Sequence, residues 1–367
     1  MSTHAQHRPI RSMPQNAEAL AQMNALRRLI DLHSAMYSQQ QSLQRLDLKP
    51  NGRQFYESAA LFERKQWALQ LSGSARRTVQ SHLDKAEALG QMRRIATAPS
   101  PDVFDKLNVD FPHFAEATDF MKRSMALCRL GDERLLSLRP VLYSGDAGVG
   151  KTAYATELSK VFGVPCTRID IGTLSAAFGL TGLDVGYDSG KPGIVWDVLQ
   201  SECMSPLIFM DELDKCGSDT RHSHLQPLLT LLERVTSISF ADNAIGLPIN
   251  ASYVIWQATC NNVDLIESPL LSRFKVINIP TPNPLQMRAI TKSIHRAIMS
   301  TSDWAAAFDP DLPEDVIDLL CYLTPREVGR TLEDAFANAA MTEKRKLNAD
   351  MVRINRDSQK RGIGFTN

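Results

Sequence analysis

The stretch that decides the fold is GDAGVGKT, residues 145–152, which fits the pattern GxxxxGK[ST] without a gap. Residues 141–143 before it form a short apolar run typical of a strand, and residues 152–162 after it have a helical pattern. A glycine-rich loop in this position lets successive backbone N–H groups turn toward one anion, and the following helix adds partial positive charge. The stretch therefore predicts a phosphate-binding loop between a strand and a helix.

Each residue of this loop has an expected part in binding a nucleotide. Lys151 is expected to reach the β- and γ-phosphates, and the hydroxyl of Thr152 is expected to ligate Mg²⁺. The cofactors implied are ATP and Mg²⁺. The remaining phosphate contacts are expected from Gly145, Asp146, Ala147, Gly148, Val149 and Gly150.

An acidic pair supplies the second half of the predicted site. The apolar run at residues 207–210 ends in Asp211 and Glu212, about 60 residues after the loop. Ligands in open α/β sheets bind at the carboxyl ends of strands, so Asp211 is expected to hold Mg²⁺ and Glu212 to polarise the attacking water. The alternative is a solvated helix cap. Asp214 and Lys215 are interpreted as an exposed pair without a catalytic role.

Short β-type runs alternate with helix-length segments from about residue 139 onward, at 141–143, 166–171, 206–210, 253–257 and 275–279. This alternation predicts a parallel sheet with helices on both faces, and together with the phosphate loop it predicts an α/β P-loop NTPase fold. After the proline-rich stretch 280–284 only helical patterns remain, at 285–300, 313–323 and 325–346, which predict a small all-α lid. The expected divisions are a disordered N-terminus (1–16), an N-terminal helical region (17–98), the ATPase domain (102–282), the lid (283–346) and a basic tail (347–367).

The overall composition excludes several classes of protein. The 367 residues hold 41 Lys+Arg and 41 Asp+Glu, so the chain as a whole lacks the positive excess of a dedicated nucleic-acid binder. No apolar run is long enough for a membrane span, and the N-terminus lacks the apolar stretch of a secretory signal. The six scattered cysteines form no CxxC pair and indicate reduced thiols. We therefore expect a cytoplasmic protein.

The balanced charge conceals an asymmetry along the chain. Residues 1–100 hold 14 Lys+Arg and 7 Asp+Glu, whereas the rest holds 27 and 34. Two helical stretches, about 17–46 and 53–95, carry this basic excess, partly as the pairs Arg64-Lys65 and Arg93-Arg94. Such pairs suit a solvated helix face, an acidic protein partner or a phosphate backbone. We expect this region to select a protein client or partner; nucleic-acid binding is possible but not favoured.

With both halves of the site identified, the sequence resembles an AAA+ ATPase, and in particular the ATPase module of the Lon protease family. The resemblance runs from about residue 107 to about residue 340. Its most specific stretches, in order, are GYDSGKPG (186–193), DELDKCGSD (211–219), ATCNN (258–262) and SPLLSRF (268–274).

The resemblance implies further site residues and an assembly. Asn261 looks like the sensor-1 residue that positions the lytic water, with Asn262 as the alternative. Arg273 looks like the arginine finger, which acts on a neighbouring subunit's nucleotide and so implies a homo-oligomeric ring, expected to be a hexamer. Arg326 looks like the sensor-2 arginine of the lid, with Arg330 as its rival.

The loop that carries Tyr187 corresponds to the position where Lon-like rings place an aromatic side chain in the central pore to grip a polypeptide. This implies a chaperone or unfoldase that remodels, unfolds or disassembles a protein client. The family follows the aromatic with an apolar residue, whereas this chain has Asp188. The alternatives are an ATP-gated scaffold assembling on DNA or a partner complex, a surface tyrosine in a flexible loop, or an ATPase partner of a separate protease. The chain ends about 25 residues past the last lid helix, so we expect no proteolysis by this chain.

Overall fold

The computed structural model describes residues 52–173, 178–215 and 225–354. The expected disordered segment 1–16, the first predicted helix at 17–46 and the end of the basic tail lie outside these residues. Among the described residues no helix is long and apolar enough to cross a membrane.

The first part of the described chain is a helical hairpin closed by two short strands, which pair antiparallel. The four elements are β1 (Gly52–Gln54), α1 (Ser58–Ala68), α2 (Gly73–Leu89) and β2 (Met92–Arg94). The helical stretch expected at 53–95 is therefore divided at Gly73 and ends in strands. Val79, Leu83 and Ala86 line one face of α2 and are buried in the hydrophobic cluster that also contains Trp196 of the α/β domain.

A five-stranded parallel sheet forms the centre of the molecule. Its strands lie in the order β4 (Cys166–Asp170), β5 (Leu207–Asp211), β8 (Ile255–Cys260), β3 (Val141–Ser144) and β9 (Lys275–Asn278). This confirms the predicted fold class and all five expected strands. The elements from residue 105 to 278 are α3 (Asp105–Asp110), α4 (Ala115–Cys128), β3 (Val141–Ser144), α5 (Lys151–Phe162), β4 (Cys166–Asp170), α6 (Phe178–Thr181), α7 (Ile194–Val198), β5 (Leu207–Asp211), α8 (Leu225–Leu232), α9 (Arg234–Ser237), β6 (Phe240–Ala241), β7 (Pro248–Ile249), β8 (Ile255–Cys260), α10 (Ser268–Leu271) and β9 (Lys275–Asn278).

The apolar character of the inner strands follows from their position in the sheet. Every residue of β5 and β8 is buried, because apolar clusters cover both faces. The strands are parallel, so the residues that follow β3, β5 and β8 come together at one edge of the sheet. That edge holds the phosphate-loop sequence, the acidic pair and Asn261, as the pattern predicts.

Three helices form the lid, which has its own hydrophobic core. They are α11 (Pro284–Thr301), α12 (Glu314–Leu320) and α13 (Pro325–Met341). Asn283 and Thr324 each precede a helix and form a capping box with it. The side chain of Asn283 or Thr324 accepts from the backbone N–H of Gln286 or Glu327, and the side chain of Gln286 or Glu327 accepts from the backbone N–H of Asn283 or Thr324. The lid contacts the large domain through Asp110, which accepts from Ser293 Oγ at 2.7 Å and pairs with Arg296 at 3.2 Å.

Candidate nucleotide site

The phosphate loop lies between β3 and α5, where the sequence predicts it. Gly150 is the residue before α5 and has φ +98°, a backbone conformation that residues other than glycine rarely adopt. The loop contacts two other parts of the chain. The carbonyl of Gly148 accepts from the backbone N–H of Arg326 at 3.3 Å, and the carbonyl of Val149 accepts from His113 Nε2 at 2.7 Å. The segment before α4 and the first turn of α13 in the lid therefore both contact the loop.

Lys151 begins α5 and turns its ammonium group back over the loop. Its Nζ donates to the carbonyls of Gly145 at 2.5 Å and Asp146 at 3.0 Å, and to Asn261 Oδ1 at 3.1 Å. The side chain is buried, and burial lowers the pKa of Lys151 below its usual value. The lysine expected at the phosphates and the proposed sensor asparagine thus meet directly.

Asp211 is the most densely bonded acid of the site. Its Oδ2 accepts from Thr152 Oγ1 at 3.2 Å and from Arg168 at 2.6 Å, while its Oδ1 accepts from Thr259 Oγ1 at 2.5 Å. The two expected Mg²⁺ ligands, Thr152 and Asp211, are therefore neighbours. Sequence reasoning missed Arg168 on β4 and Thr259 on β8. Thr259 could have been predicted as a site residue, because it is a polar residue near the end of a mostly apolar strand.

Glu212 follows β5 in a strained backbone conformation. Its φ is +56°, an uncommon value for a residue other than glycine, and it is held there because its N–H donates to Thr259 Oγ1 at 3.1 Å. Its carboxylate pairs with Lys215 at 2.5 Å, and this hydrogen bond raises the pKa of Lys215. Glu212 thus lies beside Asp211 with its charge satisfied by a lysine three residues on.

Asp214 has a positioning role that the sequence interpretation missed. Its Oδ2 accepts from the backbone N–H groups of both Asn261 and Asn262, each at 3.1 Å. The expectation that Asp214 is merely an exposed residue beside Lys215 was therefore wrong. This carboxylate joins the segment after β5 to the segment after β8, so that Asn261 is directed toward Lys151 while the side chain of Asn262 caps the next turn by accepting from Asp264 N.

The structure does not bring Arg273 to the phosphate loop of its own chain. It precedes β9 and so lies toward the amino ends of the strands, away from the edge that carries Lys151 and Asp211. It donates to the carbonyls of Pro269 at 2.6 Å and Leu229 at 3.3 Å, and its Nε is 4.0 Å from Glu233. It lines a depression of about 410 Å³ together with Arg139 and Arg234. A nucleotide contact by Arg273 would have to be made with a second copy of the chain.

The two candidate sensor-2 arginines both lie on α13, and both are exposed. Of the two, Arg326 contacts the loop through its backbone N–H, and its Cβ lies 3.6 Å from where a Cβ on Gly148 would be. Arg330 is one helical turn further along. The first turn of α13 thus lies against the phosphate loop and places Arg326, of the two candidates, beside it.

Tyr187 lies at the tip of a short hairpin between α6 and α7, with 66% of its surface exposed. Asp188 beside it is exposed as well. The tyrosine is therefore neither packed against the domain nor part of the nucleotide site. The structure leaves this aromatic ring free to contact another molecule.

With this geometry in place, comparison with known proteins defines the class. Residues 141–281 match the model of the ATPase family associated with various cellular activities (AAA). The chain therefore contains an ATPase domain of the AAA family, built on the fold that the sheet order shows.

The relatives specify which kind of AAA domain this is. The chain is 34% identical over 209 residues to the peroxisomal Lon protease homolog 2 of Spinacia oleracea, covering 55% of this chain and 23% of that protein. It is 33% identical over 152 residues to the Lon protease of Helicobacter pylori strain J99, covering 41% of this chain and 18% of that protein. The domain is thus Lon-like, which confirms the resemblance, and the chain spans about a quarter or less of the length of these two relatives.

Among solved structures, the chain is similar to the Holliday junction branch migration motor RuvB of Thermotoga maritima. The TM-score is 0.42 and the identity 15%, with 64% of this chain and 66% of that chain covered.

Proposed function

We propose that this chain is a ring-forming, Mg²⁺-dependent ATPase that remodels or unfolds a protein client. The observation that carries the proposal is the exposed Tyr187 at the tip of a hairpin in the same α/β domain that holds the nucleotide site. Single exposed aromatics occur elsewhere on the surface, as at Tyr322, but Tyr187 is held at the tip of an ordered hairpin. An aromatic ring provides a large contact area for a polypeptide chain at a low cost in side-chain entropy.

The donor set suits Mg²⁺. Within the described residues no group of three His, Cys, Asp or Glu side chains could hold a metal, so the ion would depend on Thr152, Asp211 and the oxygens of the nucleotide. This combination is typical of Mg²⁺, which binds through one or two protein oxygens and substrate phosphates. The ion would neutralise charge on the phosphates. Arg168, which now pairs with Asp211, would then share that carboxylate with a second cation.

The other residues of the site divide the remaining tasks. Lys151 would exchange its bonds to the loop carbonyls for bonds to phosphate oxygens. Asn261 would orient the attacking water. The carboxylate of Glu212 would accept a hydrogen bond from that water after the Glu212–Lys215 ion pair has separated. Asp214 would hold Asn261 in place through its backbone. The Glu212–Lys215 pair provides a resting arrangement in which the carboxylate is occupied.

Hydrolysis would be completed by a neighbouring subunit. Arg273 lies away from the phosphate loop of its own chain, so it would act as an arginine finger only across a subunit contact. Such a residue is worth a factor of about 10³–10⁵ in rate in phosphoryl-transfer enzymes. A contact between different surfaces of identical subunits generates a ring when its rotation closes. A hexamer is the ring size we propose.

Mixing two inactive variants tests this arrangement. Arg273→Ala and Lys151→Ala are each expected to lose ATP hydrolysis, but an equimolar mixture should recover about a quarter of the wild-type rate, because one contact in four pairs two intact halves in a head-to-tail ring. Phosphate release is the measurement. Co-purification of the untagged variant with the affinity-tagged one confirms that mixed rings form. Mixed rings as inactive as either variant alone would contradict an arginine finger in trans.

Replacing Tyr187 tests the client contact. Tyr187→Ala is expected to abolish the stimulation of ATP hydrolysis by an unfolded polypeptide, for which β-casein serves as the probe, while the basal rate stays within about twofold because the hairpin does not touch the nucleotide site. Tyr187→Phe should keep the stimulation. The matched control is Tyr322→Ala, since Tyr322 is an exposed aromatic of the lid. Stimulation that survives in Tyr187→Ala would overturn the proposed grip.

A second candidate is an ATP-gated scaffold that assembles on DNA or a partner complex, and the exposed acid Asp188 beside Tyr187 favours it. The buried and paired basic residues weigh against DNA. Arg64 and Arg93 are engaged inside the fold, and Lys65 pairs with Asp84 at 2.7 Å and Glu87 at 2.5 Å. The scaffold predicts stimulation by double-stranded DNA and none by β-casein, the reverse of the favoured proposal.

A further inference from the structure

The Tyr187 hairpin has a defined conformation. Its two arms are joined by a pair of backbone hydrogen bonds between Leu183 and Lys191, at 2.8 and 3.1 Å. Toward the tip, the N–H of Tyr187 donates to the carbonyl of Asp184 at 3.1 Å, and the N–H of Gly190 donates to the carbonyl of Tyr187 at 2.8 Å. The exposure of the tyrosine therefore results from an ordered turn.

Two consecutive residues, Asp242 and Asn243, hold the base of this hairpin. Asp242 Oδ2 accepts from the N–H of Gly193 at 2.8 Å, on the arm that leaves the hairpin. Asn243 Nδ2 donates to the carbonyl of Gly182 at 3.0 Å, on the arm that enters it, and Asn243 N donates to the carbonyl of Thr181 at 2.7 Å. Both arms are thus fixed from one short segment between β6 and β7.

The fit at the base leaves no space for additional atoms. A Cβ added at Gly182 would lie 2.4 Å from Asp242 Oδ1, and one added at Gly193 would lie 2.3 Å from the carbonyl oxygen of Leu180. Real Cβ atoms do not approach so closely. Gly182 therefore allows the carboxylate of Asp242 to lie against the arm that enters the hairpin, and Gly193 allows the two arms to lie directly against each other.

Asp242 also organises its own segment. Its Oδ1 accepts from the N–H groups of Ala244 at 2.9 Å and Ile245 at 3.2 Å. The side chain is fully buried, and burial raises the pKa of Asp242 to about 6, so that it is mainly ionised at neutral pH despite its surroundings. A buried carboxylate that accepts three N–H bonds provides charge-assisted hydrogen bonds, which are stronger than neutral ones.

The segment is supported from behind by helix α1. Arg64 Nε donates to the carbonyl of Ile245, and its guanidinium lies 3.3 Å from the centre of the Trp67 ring. The same guanidinium lies against Gly246, 2.5 Å from where a Cβ on that residue would be. The N-terminal helical hairpin is therefore in direct contact with the turn whose first residues hold the Tyr187 hairpin.

We infer that Asp242 and Asn243 are positioning residues that set the conformation of the Tyr187 hairpin and connect it to helix α1. Their importance for client handling rests on the proposed function, in which Tyr187 contacts the client. Their effect on the hairpin itself does not depend on that proposal, so the two can be tested separately.

Asp242→Asn in the full-length chain is the sharpest probe. The amide has the same shape but one oxygen acceptor, and its NH₂ group would face an N–H donor. Amide hydrogen exchange at residues 183–193, followed by mass spectrometry, is expected to accelerate by about 10- to 100-fold, the factor that corresponds to the loss of a hydrogen bond to a charged group. Asp303→Asn, at an exposed aspartate of the lid, is the matched control and should leave exchange unchanged.

Asn243→Ala supplies the second variant, because Asn243 is exposed and its truncation leaves the core intact. It should also accelerate exchange at residues 183–193. Unchanged exchange in both variants would overturn the inference, whatever Tyr187 does. Accelerated exchange supports it; if β-casein stimulation nevertheless survives in Tyr187→Ala, the proposed client grip fails while the positioning role stands.

Discussion

Replacing Glu212 by glutamine is expected to slow ATP hydrolysis by about 10²–10⁴-fold, the range found when a general base is removed, while nucleotide binding is retained. The amide keeps the size of the side chain but cannot accept a proton from water. Binding should persist because the residues expected to hold the phosphates, Lys151 and Thr152, do not contact Glu212. Only the catalytic step is therefore removed.

The structure adds a reason why the substitution should spare the fold. Glu212 keeps its left-handed backbone through the bond from its N–H to Thr259, which glutamine also makes. Phosphate release at saturating ATP measures the rate, and fluorescence of a labelled ATP analogue measures binding. Glu116→Gln, on the exposed face of α4, is the control and should match the wild type. A Glu212→Gln rate within threefold of the wild type would exclude Glu212 as the base.

The variant also distinguishes the two proposed functions. If hydrolysis drives remodelling, Glu212→Gln should form rings with ATP and fail to process a client. If ATP only gates assembly, the same variant should assemble more completely and remain functional. Assembly by light scattering and client processing, measured on one preparation, separate these outcomes.

The nucleotide edge of the fold was predictable because its signals are local. GDAGVGKT at 145–152 combines glycines, a lysine and a hydroxyl in a fixed spacing, and buried parallel strands read as short apolar runs. Parallel strands also bring their carboxyl ends to one edge, so the proximity of Asp211 to Thr152 follows from sequence order and fold class together. The observed 3.2 Å separation of their oxygens agrees with that expectation.

The roles of the charged residues outside these patterns depend on tertiary contacts and could not be predicted in the same way. Asp214 was interpreted as exposed because an acid at a turn usually is, yet it accepts two backbone N–H groups of a distant segment. Asp242 is fully buried, and its carboxylate fits there because Gly182, 60 residues earlier, has no side chain. Burial of this kind is set by which segments meet, and one-dimensional patterns do not encode it.

Truncation of Arg93 is expected to be the most destabilising single change in the helical hairpin. Its side chain is completely buried and has no carboxylate partner among the residues that the structure describes, and burial lowers the pKa of Arg93 to about 10, so it remains a cation at neutral pH. It donates to the carbonyls of Leu199 at 2.5 Å and Ser201 at 3.2 Å. Its guanidinium also lies 3.6 Å from the centre of the Phe55 ring. One side chain thus joins β2 to the residue that follows β1 and to the segment that follows α7.

Arg93→Ala should lower the free energy of unfolding by about 3–5 kcal/mol, because it leaves buried carbonyls without donors and opens a cavity beside Phe55. Urea denaturation followed by circular dichroism measures this. The control is the next residue, Arg94, whose side chain is exposed and whose hydrogen bonds to Glu202 and Met204 are made by its backbone. Arg94→Ala should therefore change the free energy of unfolding by about 0.5 kcal/mol or less.

Arg93→Lys tests whether the charge of Arg93 or the planar geometry of its guanidinium stabilises the fold. An ammonium retains the charge but cannot present a planar fork to several carbonyls while stacking on a ring, so a loss of about 2 kcal/mol should remain. If Arg93→Ala and Arg94→Ala destabilise equally, the hairpin does not depend on this contact. A large difference between them would show that the Arg93-Arg94 pair, which the sequence presents as one basic patch, consists of one structural cation and one surface cation. The positive charge that the surface offers to a partner is then smaller than the number of basic residues in the sequence suggests.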